Sequence, residues 1–258
     1  NSTLETRERE FELLSNSIKD TVARNVQTAN DTLNTLAAFL EAATSLTDEQ
    51  YHDIADSLLG MHPYMEGAVY ITLAEDAGGG RRFNVLYQAM RGRGAQPELE
   101  ILDDQAHMDV IDTLFRSGEV ITLTPGNMRE DWKGYWILRE VELPPEFLGT
   151  EGGSGFVAIL INTNQLVGAN AGDADLTIML LSDSAGLSGR QLLYRKTAAS
   201  PGGWTVAQLL EEGTTQFPLY SVRLSIARNL PWAEIDKSML YIALIIGAGV
   251  CLLMLSLV

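Results

Sequence analysis

The sequence predicts an α+β fold with a long N-terminal helix, two units that combine helix and strand, and a C-terminal membrane helix. Three observations lead to this fold class. Residues 4–45 carry apolar side chains at close to the helical period, residues 65–230 alternate short strand-like runs with turn residues, and residues 239–258 contain no charge. The expected order along the chain is therefore helix, sheet-forming region and membrane segment.

The first 45 residues are expected to form one stalk helix. No glycine or proline interrupts the run, and a helix of this length spans roughly 60 Å. The helix is too long to be stabilised by one small domain, so we expect its apolar stripe to be exposed and to need a partner, of which a twin helix is the simplest. The stripe consists of Leu4, Phe11, Leu14, Ile18, Val22, Ala29, Leu33, Leu36, Leu40 and Ala43.

The stalk therefore predicts a parallel homodimer through residues 4–45 and the membrane helix. Asn25 and Thr32 lie on the stripe and would fix the register of the pair, as polar seam residues do in coiled coils. The alternative is a stripe that packs wholly against its own chain.

Residues 46–163 are expected to form a first module. Thr47 and Gln50 have the spacing of a capping box, and the helix that they open should end near Gly60. A second helix is expected over residues 106–116. The expected strands of this module are residues 66–73, 83–90, 120–124, 134–141 and 155–161.

Residues 164–232 are expected to form a second, smaller module. A short helix should begin at Asn164. The boundary between the modules falls near residues 161–170, where a buried strand gives way to Asn, Gly and Asp. The expected strands of this module are residues 176–181, 191–194 and 220–226.

Residues 239–258 are long enough to cross a membrane, because a helix of this length reaches roughly 30 Å. A helix satisfies its own backbone hydrogen bonds in lipid, so this span is physically permitted. We expect the segment to lie in the inner (plasma) membrane, with residues 1–238 extracytoplasmic or periplasmic. We also expect the chain to be a piece of a longer protein.

The composition excludes several classes of function. A formal net charge of −16 disfavours nucleic acid as a partner, since that partner needs a basic footprint. The single cysteine, Cys251, lies in the membrane segment, which leaves no disulfide or cysteine-rich metal site within the chain. No nucleophile elbow, P-loop or zinc helix is present, so we expect no catalytic residue, metal or cofactor here.

Nine short stretches stand in a fixed order ahead of the membrane helix: Leu36–Phe39, Thr47–Tyr51, Gly67–Tyr70, Leu114–Pro125, Gly155–Ile161, Asn164–Leu166, Leu180–Asp183, Leu193–Tyr194 and Pro218–Leu224. In this order they resemble the CHASE domain, the extracellular sensor of bacterial signalling proteins and plant cytokinin receptors. The resemblance implies two PAS-like modules, of which the membrane-distal one (residues 46–163) holds a ligand and the membrane-proximal one is residues 164–232. It also implies a dimer and a cytoplasmic output domain.

A cluster of aromatic and basic residues is the candidate ligand site: Tyr87, Arg91, Trp132, Tyr135 and Trp136. Aromatic walls with a fixed cation suit a small anionic or π-rich ligand. Strand alternation puts Val85, Tyr87, Ala89 and Arg91 on one face, and Arg91 is the best polar anchor because guanidinium binds carboxylate or phosphate through two bonds. The alternative is that the aromatics are ordinary core and the arginine lies on the surface.

The expected function is a small-molecule sensor in a membrane-bound signalling receptor. It would pass a conformational change through the membrane helix to a histidine kinase, diguanylate cyclase or adenylate cyclase that lies outside this chain. The alternative is an ectodomain that binds a protein partner, or only dimerises, with no small-molecule ligand.

Overall fold

One long helix and two antiparallel sheets make up most of the part of the chain that the computed structural model describes. The described residues are 2–43, 45–75, 81–91, 121–123, 134–142, 154–168, 175–184, 190–198, 205–216, 220–231, 241 and 245–248. The helices are α1 (Ser2–Ala42), α2 (Asp48–Gly60) and α3 (Thr163–Val167). The strands are β1 (Met65–Glu75), β2 (Arg81–Met90), β3 (Ile121–Leu123), β4 (Gly134–Glu142), β5 (Ser154–Asn162), β6 (Leu176–Ser184), β7 (Arg190–Lys196), β8 (Thr205–Gln216) and β9 (Tyr220–Pro231).

α1 is the long helix that the apolar period predicts, and it packs along both sheets of its own chain. Lys19 pairs with Glu211 on β8, with 2.6 Å between Nζ and Oε2. Further along α1, Asn34 accepts a hydrogen bond of 2.8 Å from Arg139 on β4. The helix therefore crosses the second sheet first and the first sheet afterwards, so a single rigid element links the two.

Most of the apolar stripe of α1 is buried within the same chain, although Leu4 at its start is 41% exposed. This corrects the expectation that the stripe is exposed and needs a twin helix. Its polar members also bond intramolecularly. Asn25 donates to the carbonyl of Leu166 at 2.8 Å, and Thr32 donates to the carbonyl of Thr28 at 2.9 Å. The homodimer remains a prediction, but an unsatisfied stripe no longer supports it. The buried apolar residues of α1 are Phe11, Ile18, Val22, Val26, Ala29, Leu33, Leu36, Ala37 and Leu40.

The first sheet has the strand order β2-β1-β5-β4-β3, and every neighbouring pair is antiparallel. α2 packs on β1 and β2, and α1 packs on β4 and β5. The capping box predicted at the start of α2 is present, because Thr47 and Gln50 each accept the other's backbone N–H. Helices of the described part thus cover one face of this sheet.

The second sheet has the order β7-β6-β9-β8, again antiparallel throughout. Its core side, which includes Ile178, Leu180, Val222 and Leu224, joins the same apolar cluster as α1. The structure therefore confirms a mixed fold with a long N-terminal helix and two sheet modules. β8 is an addition, since the sequence analysis assigned no strand to residues 205–216.

α3 joins the two sheets and is fixed at both ends. The Asn162 side chain accepts from Gln165 N at the start of α3 and donates to Glu66 Oε1 at 2.6 Å. At its other end, the carbonyl of Leu166 accepts from Asn25 of α1. The short helix is thus tied to β1 and to the middle of α1.

Two predicted helices lie wholly or mostly outside the described residues. The helix expected over residues 106–116 lies entirely outside them. Of the membrane segment 239–258, the structure describes Tyr241 and residues 245–248, which are helical. In the described part of the chain, no helix has the length and apolar character needed to span a bilayer.

Candidate ligand site in the first sheet module

The first sheet has two buried faces with different surroundings. Alternate residues of a strand point to opposite faces, and directly paired residues of antiparallel strands share a face. The helix-covered face packs against α1 and α2. Its side chains include Met65, Ala68, Tyr70, Ala89, Tyr135, Ile137, Val141, Val157, Ile159 and Ile161.

The opposite face, called the far face below, is also withdrawn from solvent. Each of its central side chains is at most 1% exposed. These residues are Val69 and Ile71 of β1, Trp136 and Leu138 of β4, and Phe156, Ala158 and Leu160 of β5. A central strand that is buried on both faces has a continuous run of apolar residues in its sequence, and residues 155–161 are such a run.

Tyr87 lies on the helix-covered face at the β2 edge. Its ring stacks on Tyr51 of α2 with a centroid separation of 5.3 Å, and its hydroxyl donates to the carbonyl of Leu46 at 2.9 Å. Tyr70 of β1 lies directly opposite it, with centroids 6.3 Å apart. The three tyrosines thus form one aromatic layer between α2 and the sheet.

Two hydroxyls of this layer are buried without a hydrogen-bond acceptor or donor among the described residues, those of Tyr51 and Tyr70. Burial raises the pKa of the Tyr51 hydroxyl far above its ordinary value. Burial, and then the nearby Tyr87, raise the pKa of Tyr70 in the same way. Both groups therefore stay neutral, which is what an apolar layer requires.

Arg91 lies at the C-terminal end of α2. Its Nη2 donates to the carbonyl of Gly60 at 3.1 Å, and its Nη1 donates to the carbonyl of His62 at 3.0 Å. A cation at this position satisfies carbonyls that the ending helix leaves open and interacts favourably with the helix dipole. The same guanidinium that was predicted to anchor a ligand therefore caps the C-terminal end of α2.

The predicted site residues are divided between the two faces. Tyr87 and Tyr135 lie on the helix-covered face, but β1 and β5 separate their strands. Trp136 follows Tyr135 on β4 and therefore points to the far face. Trp132 lies outside the described residues. The structure thus places Trp136 apart from Tyr87 and Arg91.

A β-bulge corrects the expected alternation along β2. Tyr87 lies opposite Tyr70, but Val85 lies opposite Ile71, so Leu86 is the extra residue of the bulge. Val85 therefore shares the far face with Ile71, whereas Tyr87 and Ala89 keep the helix-covered face. A bulge inverts the pattern on one side of it, and period-two reasoning could not have detected it.

The indole of Trp136 is the polar group that stands out on the far face. Its side chain is 1% exposed, and Nε1 finds no acceptor among the described residues. A buried N–H without an acceptor is costly, and most such groups in proteins are satisfied by a partner. Trp136 thus offers one donor within an apolar wall.

The comparisons with known proteins concern the fold. No protein-family model matches the chain. No curated protein matches it either. A solved structure, an extracellular ligand binding receptor from Desulfohalobium retbaense DSM5692, matches with a TM-score of 0.53 and 12% identity over 85% of this chain. The chain shares the fold of that receptor. It spans 40% of the receptor's length.

Two further solved structures match at lower TM-scores. One is a methyl-accepting chemotaxis protein, with a TM-score of 0.38 and 10% identity over 86% of this chain and 100% of its own. The other is the extracellular domain of a candidate histidine kinase, mmHK1S-Z3, with a TM-score of 0.40 and 12% identity over 91% of this chain and 96% of its own.

Sequence reasoning did not single out the far-face residues other than Trp136. Val69, Ile71, Phe156 and Leu160 carry no chemistry that sequence reasoning could single out. The available signal was the two-sided apolar character of residues 155–161, which indicates that both faces of the strand are covered.

Proposed function

We propose that the chain is the extracytoplasmic sensor domain of a membrane-bound signalling receptor. The observation that carries the proposal is its architecture: two antiparallel sheets mounted along one 41-residue helix, the fold shared with an extracellular ligand binding receptor. A helix that contacts both sheets can carry a change in one module to the other. Assignment to the CHASE family is part of this proposal and rests on the sequence motifs.

The ligand site belongs to the first sheet module in this proposal. Trp136 is the best placed of the five predicted residues, since it adds a buried donor to an apolar face. Tyr87, Arg91, Trp132 and Tyr135 remain predictions for the same site. A pocket that is mostly apolar with few polar groups is what small-molecule sites generally require.

Signal transmission would run along α1 and through the predicted membrane helix, residues 239–258. The homodimer and the cytoplasmic output domain, a histidine kinase or a nucleotide cyclase, complete the proposed receptor. A ligand changes the output only if it binds two conformations of the sensor with different affinity.

A thermal-shift screen of the chain in lipid nanodiscs tests the sensor function. A compound that binds the folded state alone raises its stability by RT ln(1 + [L]/Kd), about 2.7 kcal/mol at a hundredfold excess over Kd. We expect at least one compound of a broad metabolite panel to raise the melting temperature in a saturable way. The Gly60→Ala variant is the control for a substitution made away from any contact, because a Cβ at Gly60 meets nothing within 4 Å. The compound should raise its melting temperature as it does in the wild type.

The outcome that contradicts the proposal is also defined. If no metabolite shifts the melting temperature, but a protein partner does, the chain is an ectodomain that recognises protein. The apolar far face would then have a purely structural role.

A further inference from the structure

We propose that a cavity between α1 and the second sheet binds a small organic cation with an apolar body. The cavity has a volume of about 180 Å³ and belongs to the second module, whereas the predicted ligand residues belong to the first. The inference therefore goes beyond the proposed sensor function and does not depend on it. The cavity is lined by Val22 and Ala23 of α1, Gly213 and Thr215 of β8, and Val222 and Leu224 of β9.

A glycine in the edge strand β8 makes room for the cavity. Gly213 pairs with Leu224 of β9, which belongs to the core cluster, so position 213 lies on the α1 side of the sheet. Because Gly213 has no side chain, the stem of Lys19 can lie over it: an added Cβ would be 2.8 Å from Lys19 Cδ. Glycine inside a strand weakens the strand, and it often marks a place where a ligand approaches the backbone closely.

The floor of the cavity is apolar. Val22, Val222 and Leu224 line it, and they belong to the core cluster that joins α1 to the second sheet. A ligand group that rests on them must itself be apolar, because a polar group would lose its hydration without a partner. An apolar cavity of about 150 Å³ accommodates benzene, so a body of about that size fits here.

The charge at the cavity comes from Lys19 and Asp20 of α1. The ammonium of Lys19 lies 2.6 Å from Oε2 of Glu211, so its charge is already neutralised. Asp20 is exposed, and it makes no hydrogen bond or ion pair with any residue that the structure describes. Among the described residues that line the cavity, the unpaired charge is therefore negative, which favours a cation over an anion.

The hydroxyl of Thr215 narrows the class of cation. Thr215 pairs with Val222 and therefore lies on the α1 side of β8, as the cavity does. A hydroxyl oxygen accepts hydrogen bonds, and an ammonium group carries several N–H donors, so Thr215 and Asp20 can share one ammonium group. The ligand class that fits is a small primary ammonium ion, with its charge towards Asp20 and its apolar body on Val222 and Leu224.

The experiment follows the methyl groups of Val222 and Leu224 by NMR in the full chain in lipid nanodiscs, with ¹³C-methyl labels on valine and leucine. The Val222→Ile and Leu224→Ile variants assign these resonances by their loss. The probes share one ring and differ in charge: benzylammonium, benzyl alcohol and benzoate. We expect benzylammonium to move the resonances of both residues in a saturable way, and benzoate to leave them unchanged. A titration of empty nanodiscs corrects for partition of each probe into lipid.

Variants then separate the charge from the cavity. Asp20→Asn should weaken benzylammonium binding about two- to fivefold, the effect of one exposed ion pair, and leave benzyl alcohol binding unchanged. Asp31→Asn is the matched control, because it removes another exposed acid of α1 about 16 Å along the helix, and it should change neither affinity.

Ala23→Leu fills the cavity from α1 and keeps the charges. Leucine is a good helix former, so α1 should tolerate it, whereas both benzylammonium and benzyl alcohol should bind roughly tenfold more weakly or not at all. A circular dichroism melt checks that each variant is folded.

Three results would overturn the inference while leaving the sensor function intact. The first is unmoved Val222 and Leu224 resonances at the highest soluble concentration of benzylammonium. The second is binding of benzoate as tight as that of benzylammonium, and the third is wild-type affinity in folded Ala23→Leu. Failure of the metabolite screen is a different result and contradicts the sensor function, whereas a hit that persists in Ala23→Leu binds at another site.

Discussion

At the scale of single residues, Arg91 has a clear structural role and a testable one in binding. Because its guanidinium bonds the carbonyls of Gly60 and His62 on an exposed surface, Arg91→Ala should lower the free energy of unfolding by about 1 kcal/mol. Arg91→Lys keeps the charge but not the two-pronged geometry, so it should lower the free energy of unfolding by less than Arg91→Ala does. Urea denaturation measures both variants.

The same variant separates stability from binding. If Arg91 also belongs to the proposed ligand site, Arg91→Ala should weaken the affinity for an anionic ligand found in the screen as well as lower stability. Unchanged affinity in the folded variant would leave Arg91 with the structural role alone.

Tyr51 provides the second prediction at this scale. Its hydroxyl has no hydrogen-bond partner in the described part of the chain, whereas its ring stacks on Tyr87. Tyr51→Phe keeps the ring and removes the buried polar group, so the free energy of unfolding at pH 7 should stay the same or rise by up to about 1 kcal/mol. A lower free energy of unfolding for Tyr51→Phe in urea denaturation would contradict this, because it would mean that the hydroxyl makes a hydrogen bond in the folded state.

The alkaline stability of the protein follows from the same tyrosines. Burial raises the pKa of Tyr51 and Tyr70 in the folded state, whereas an unfolded tyrosine releases its proton near pH 10. The stability that the two neutral, buried hydroxyls contribute is therefore fully present below about pH 10 and is lost as the pH rises above it. In urea denaturation from pH 8 to 11, the free energy of unfolding should fall less steeply with pH in Tyr51→Phe than in the wild type. Equal slopes of the free energy against pH would contradict this.

At the scale of elements, the link from α3 to the second sheet depends on one glycine. Gly168 has φ +85° and ψ 171°, a backbone region that residues with a Cβ essentially never adopt. A Cβ there would also lie 3.3 Å from Cγ2 of Thr21 on α1. Gly168→Ala should therefore destabilise the fold by about 1–3 kcal/mol, measured by urea denaturation.

Gly60→Ala is the matched control for this prediction. Gly60 is the last residue of α2 and its added Cβ would meet open space, so alanine should be neutral or stabilise by up to about 1 kcal/mol. Equal effects of the two substitutions would mean that the backbone conformation of Gly168 is not what limits the α3 link.

At the scale of the whole molecule, burial of the α1 stripe changes where a second copy can pack. Val22 is 2% exposed, whereas Leu13 on the same helix is 67% exposed. In a Cys251→Ser background, we expect Leu13→Cys to crosslink to its twin in membranes and Val22→Cys not to. If Leu13→Cys fails to crosslink in folded, inserted protein, α1 is not part of the dimer interface.

Several elements could be predicted from residues alone because their signals are local. The 3.6-residue apolar period marked α1, and the Thr47 capping box marked the start of α2. β8 was missed, because Glu211, Glu212 and two leucines give it little strand character. It lies at the edge of its sheet, where half of its side chains face solvent, so β9 rather than its own composition holds it in place.

The candidate site could be predicted in part only, because aromatic and basic residues identify chemistry but not which face of a sheet they occupy. Tyr135 and Trp136 are adjacent in sequence, and alternation along β4 sends them to opposite faces. Arg91 has the chemistry of a ligand anchor, but its guanidinium donates to the carbonyls of Gly60 and His62 at the end of α2.

The sequence by itself determined the long N-terminal helix, the two sheet-forming regions and most strand positions, since hydrophobic period and turn residues act over a few neighbouring positions. The tertiary structure alone decided where the α1 stripe is buried, which residue of β2 forms the bulge and which face receives Trp136. These features depend on contacts between residues far apart in the chain, such as Asn25 with Leu166 and Arg91 with Gly60. Pairing of distant segments is a property of the folded arrangement, and local propensity does not specify it.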